Sequence, residues 1–81
     1  DLAAWPNPAS DELNIYIHQS RVAATSVTIL SMTGQQVYRQ DLPDAREHQL
    51  RIPVGQWLSG MYTVVLSGTE GIQTQWVQVQ H

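Results

Sequence analysis

The chain has no cysteine and no lysine among its 81 residues. Without cysteine there is no disulfide framework, thiolate metal site or thiol nucleophile, and the redox compartment stays open. Without lysine, Arg21, Arg39, Arg46 and Arg51 are the only full cations, and the formal net charge is −3. That balance leaves no basic footprint for a phosphate backbone, so no nucleic-acid partner is expected. Charged residues make up 14% of the chain, against ~25% in ordinary soluble domains. Polarity comes instead from ten glutamines, six serines and six threonines. No apolar run approaches the ~18 residues that a membrane-crossing helix requires. At this length a single small domain is expected, burying roughly 60% of the surface its unfolded chain exposes. That leaves little material for a walled reaction pocket, and an enzyme is not expected.

What the chain does have is short stretches in which apolar and polar residues alternate, the spacing that gives a strand one core face and one wet face. Leu13, Ile15 and Ile17 share one face of a first strand, bounded by Ser10-Asp11 and by Gln19-Ser20. A second runs from Thr25 to about Leu30, with Val27 and Ile29 inward. Ser31-Met32-Thr33-Gly34 has the residue preferences of a type I turn and leads into a return strand, Gln35 to Asp41, whose main core contact is Val37.

His48 to Val54 alternates again, and Pro53 marks it as an edge strand or the end of one. Met61 to Ser67 is the strongest strand, with Tyr62, Val64 and Leu66 on one face. Ser67 to Gly71 is a glycine-bearing hairpin loop. The last strand, Ile72 to Gln80, starts with Ile72, Thr74 and Trp76 in phase and then passes to Val77 and Val79, so a bulge near Gln75-Trp76 is expected. The predicted fold is an all-β, immunoglobulin-like antiparallel sandwich of about six to seven strands.

Catalytic chemistry finds little support. Ser10, Asp11, Glu12, His18, His48 and His81 are the pieces a hydrolase would use, and no motif joins them. Asp11 and Glu12 are adjacent strand residues that point to opposite faces, which suits strand-entry charges better than an acid pair. The three histidines lack the close spacing that anchors a metal, so no metal site and no cofactor is expected. Trp5, Trp57 and Trp76 allow two readings: a flat sugar-stacking strip, or core packing or loop anchoring for two of the three. Pro6-Asn7-Pro8 restricts the backbone and presents a stiff, extended approach to the sheet.

The order of these features resembles the type A C-terminal sorting domain of the type IX secretion system of Bacteroidetes. The resemblance rests on Trp5-Pro6-Asn7-Pro8-Ala9-Ser10 followed by Leu13 to Ile17, on Val27 to Val37 with its apolar-Gly turn at Gly34, and on Leu58-Ser59-Gly60-Met61-Tyr62. It implies residues 1–81 as a single secretion-signal domain belonging to a longer precursor, with no catalysis of its own and no small-molecule substrate. The implied partners are the outer-membrane translocon, its shuttle components and a surface sorting protease that removes or exchanges the domain.

The implied route passes through the periplasm to the outer membrane, the cell surface or the medium. The expected recognition residues are Pro6, Asn7, Pro8, Gly34, Gly60, Tyr62 and the terminal run Gln75, Trp76, Val77, Gln78, Val79, Gln80 and His81. The family's final strand usually carries lysines, whereas here Gln73, Gln75, Gln78 and Gln80 occupy the tail. A nearly uncharged terminal strand suits β-augmentation, and weak self-association through edge strands is left open. The competing reading is a fibronectin-like or carbohydrate-binding accessory module of a secreted protein.

Overall fold

A computed structural model describes residues 2–18 and 21–81. Seven antiparallel strands form two sheets: β1 (Leu2–Trp5), β2 (Glu12–His18), β3 (Ala24–Ser31), β4 (Gln36–Asp41), β5 (Glu47–Pro53), β6 (Gly60–Gly68) and β7 (Gly71–Val79). One sheet has the order β1-β2-β5 and the other β4-β3-β6-β7. No helix occurs among the described residues. The strand boundary expected at Gln19-Ser20 lies outside them.

The period-two patterns of β2, β3, β5 and β6 fold as read, whereas on β4 the expected core contact Val37 is only half-buried and shares the packing with Tyr38. Leu13, Ile15 and Ile17 of β2 face Val27 and Ile29 of β3 and Val64 and Leu66 of β6 across the core, all of them fully buried. Ile52, Val54, Val77 and Val79 complete the deepest layer. Each such side chain contributes about 1.5–3 kcal/mol when taken out of water. β5 lies at the edge of its sheet, in line with its terminal Pro53, which has no amide hydrogen for a further strand.

The turn at Ser31–Gly34 closes as expected, with the Gly34 amide donating to the Ser31 carbonyl at 2.9 Å. Gly34 has φ = +86°, where a side chain would be strained. At the second hairpin Gly68 pairs with Gly71 around a two-residue turn. A Cβ on Gly68 would sit 2.0 Å from the Val22 carbonyl oxygen, so glycine is required there for close approach.

The last strand departs from expectation. Its pairing with β6 runs without interruption from Gly60↔Val79 to Gly68↔Gly71, so there is no bulge at Gln75-Trp76. The two-residue turn between paired glycines pins the register, and side chains then alternate along the full length. Gln73 and Gln75, both half-buried, share the inward face with Val77 and Val79, while Ile72, Thr74 and Trp76 point outward and are exposed. β7 is the edge of a four-stranded sheet facing a three-stranded one, and the partial cover tolerates two amides on its inner face. Irregularities occur instead on β3, between Ile29 and Leu30 against β4 and between Ala24 and Ser26 against β6.

Candidate recognition site

The Pro6–Ala9 segment leaves β1 in one sheet and docks on β7 in the other. Its start is held by Asn14, whose side-chain amide donates to the Trp5 carbonyl at 3.3 Å. Prolines at 6 and 8 have no amide hydrogen, so they cannot donate to a neighbouring strand. Asn7 between them contributes a side-chain oxygen, which accepts the Gln78 amide hydrogen at 2.9 Å. The Ala9 amide donates to the Gln78 carbonyl at 2.8 Å, and the Gln80 amide donates to the Ala9 carbonyl at 2.9 Å. Ala9 forms a parallel bridge with Val79 and is fully buried. A larger side chain would have to displace the core at that point.

The bend between β5 and β6 secures the same strand end from the other side. The Trp57 amide donates to the Val54 carbonyl at 3.0 Å, and its ring lies 5.1 Å from the Tyr62 ring at a tilt of 40°. The Tyr62 hydroxyl donates to the Leu58 carbonyl at 2.6 Å. The His81 amide donates to Ser59 Oγ at 3.0 Å. His81 Nε2 lies 2.7 Å from the Trp57 carbonyl, a contact that requires the proton on Nε2. Gly60, at φ = +158°, pairs with Val79. The 31–35 hairpin stands beside this bend, and between them lies a groove of about 470 Å³ lined by Met32, Val37, Trp57, Leu58, Met61 and Tyr62.

Most expected recognition residues therefore meet at one end of the sandwich: Pro6, Asn7 and Pro8, the Gly34 hairpin, Gly60, Tyr62, and Val77 through His81. Gln75 and Trp76 stand further along β7, opposite Val64 and Thr63, with their side chains on opposite faces of the sheet. Sequence reading did not single out Ala9, Trp57 or Ser59 for this site. Ala9 carried a signal, as a small residue directly after Pro-Asn-Pro, but its burial depends on the other sheet.

The segments that build this end, residues 5–9, 31–35, 54–62 and 78–81, contain no Asp, Glu, Arg or Lys. Their surface offers amides, hydroxyls and apolar side chains. Leu58 is 83% exposed and Met32 72% exposed.

The other candidate chemistry is dispersed. His18 lies by the Tyr16 hydroxyl and Glu47 Oε1, at 3.4 and 3.1 Å, on the outer face of the three-stranded sheet. His48 borders a cavity of about 420 Å³ at the opposite end, with Asp44 and Arg46. No group of three or more His, Asp or Glu among the described residues is arranged to hold a metal. The phenols of Tyr16 and Tyr38, whose pKa values are raised chiefly by desolvation, do not line the groove.

The tryptophans correct one expectation. Trp57 packs against the core, but Trp5 is 43% and Trp76 57% exposed, so only one of the three is a packing residue. Trp5 projects from β1 and Trp76 from β7, on the outer faces of opposite sheets, and they cannot form one flat strip.

Fold and site together define a small β-sandwich with one end free of charged residues, where the Pro6–Ala9 segment is tied to β7. The sequence matches the family of secretion system C-terminal sorting domains over residues 3–80, and the chain belongs to that family. It is a type IX C-terminal sorting signal, a domain type that is not itself catalytic; it implies interaction with the secretion machinery and export to the cell surface or medium. No match was found among curated proteins. Among solved structures, the sulfur carrier protein SoxY from Chlorobium limicola f thiosulfatophilum is similar at 18% identity and a TM-score of 0.49, covering 100% of this chain and 78% of that one.

Proposed function

We propose that the uncharged end of the sandwich is the surface read by the outer-membrane translocon and its shuttle. The chain would stand at the C-terminus of a longer precursor that reaches the periplasm by a separate signal. A surface protease would then remove or exchange it, and the domain would make and break no bond itself. The observation that carries this reading is the clamp of Asn7 and Ala9 on Gln78 and Gln80, which joins the opening motif to the last strand in one rigid surface. With no formal charge in these segments, recognition by backbone and shape explains how a tail without lysine serves as an address.

The test fuses residues 1–81 behind a periplasm-directed reporter in a bacterium with this secretion system. The parent should deliver the reporter to the surface, and deletion of residues 72–81 should trap it in the periplasm. Leu58→Glu and Met32→Glu alter exposed side chains beside the groove, so folding should persist while export falls. Undiminished export of both glutamate variants would overturn this assignment of the docking end.

A further inference from the structure

The free side of β7 is divided into two parts. At its C-terminal end the edge-facing groups of Gln78 and Gln80 are taken by Asn7 and Ala9. Antiparallel alternation places the amides and carbonyls of Ile72, Thr74 and Trp76 on that same side, and no described residue pairs with them. Natural sheet edges are usually blunted by lysine, proline, inward charge or a bulge. Residues 71–79 contain no charge and no proline, and their register with β6 is unbroken.

We propose that this open edge pairs with the same edge of a second copy of the chain, antiparallel, about a two-fold axis through Thr74. In that register Ile72 faces Trp76 of the second copy, Thr74 faces its counterpart, and Trp76 faces Ile72. The arrangement engages all three open residues and closes about six backbone hydrogen bonds. Moving the axis toward Trp76 brings the occupied groups of Gln78 into register. Moving it toward Ile72 runs into the turn at Thr69 and Glu70.

The side chains fit this symmetry on both faces. Outside, Ile72 is 69% and Trp76 57% exposed, and the pairing lays each against the other across the junction. An aromatic side chain against a β-branched one is a favourable cross-strand pair. Inside, Gln73 faces Gln75 of the second copy at a non-hydrogen-bonded position, where side chains come closest. Gln73 Oε1 is buried with no hydrogen-bond partner, and an amide from Gln75 supplies the missing donor type. A two-strand junction is a small interface, so the dimer is weak and transient. This inference stands independently of the secretion reading.

The chain has no cysteine, which permits a direct register test. Thr74→Cys puts two thiols across the axis at a Cα separation of about 5.5 Å, within the disulfide range of about 4.4–6.8 Å. Under mild oxidation it should form a covalent dimer at least about tenfold faster than Gln36→Cys on β4, the opposite edge, because pairing raises the effective thiol concentration. Ile72→Cys mixed with Trp76→Cys should give the mixed disulfide in preference to either homodimer.

Sedimentation of the unmodified chain should become concentration-dependent between micromolar and millimolar protein. Ile72→Lys combined with Trp76→Lys should abolish that dependence. All of these positions are exposed, so circular dichroism matching the parent verifies folding. A chain that stays monomeric at millimolar concentration, or a cysteine at 74 that cross-links no faster than one at 36, would overturn the proposal.

Discussion

Replacing Asn7 with alanine removes one of three hydrogen bonds that hold the end of β7 against the Pro6–Ala9 segment. The Gln78 amide loses its side-chain acceptor and turns to water. A neutral hydrogen bond contributes about 0.5–1.5 kcal/mol net, and at this exposed site a value of about 1 kcal/mol is expected. That corresponds to about a fivefold increase in the population with the tail released. Native-state amide exchange followed residue by residue reads this directly: protection at Gln78 and Gln80 should fall about fivefold, while Val64 in the central strand β6 should lose protection only through global stability. Asn7→Asp keeps an oxygen at the same place and should retain most of the protection. Unchanged exchange at Gln78 in the alanine variant, or an equal loss in the aspartate variant, would refute the view that this side chain fastens the last strand.

Two further expectations concern backbone space and protonation. Gly68→Ala forces a Cβ to 2.0 Å from the Val22 carbonyl and should cost about 2–3 kcal/mol or more, whereas Gly55→Ala meets open space and should change stability by less than about 1 kcal/mol; thermal denaturation of the pair compares them. Burial raises the Tyr38 phenol above its ordinary value of 10.0, and its hydroxyl donates to Gln40. The folded state therefore favours the protonated form, so this contribution is complete below pH 10.0 and fades as pH rises through the folded-state pKa. Tyr38→Phe should flatten the decline in melting temperature above that pH, and parallel declines would refute it.

Much of the sandwich was legible in residue order. Leu13, Ile15 and Ile17 alternate without competition, since Asn14, Tyr16 and His18 between them offer no rival apolar face. Tyr62, Val64 and Leu66 were equally plain, and Gly34 marked its turn because few residues tolerate positive φ. The last strand was ambiguous because both of its faces hold apolar residues: Ile72 and Trp76 on one, Val77 and Val79 on the other. A bulge reconciles them locally, but the turn between Gly68 and Gly71 sets the register, and register leaves Trp76 in water.

The end of the sandwich where Pro6–Ala9 meets β7 shows the same division. Composition made the scarcity of charge legible, and local order marked Pro6-Asn7-Pro8 as restricted. The extended course expected for that segment is corrected by the structure, which bends it at residues 6–8 with cis bonds at Trp5-Pro6 and Asn7-Pro8. Only the packing of one sheet on the other decided that this segment would cross to β7 and that Asn7 would stand in for a backbone carbonyl at Gln78. Partners separated by 71 positions in the chain share no local pattern. Their meeting follows from where the strands end once the core has closed.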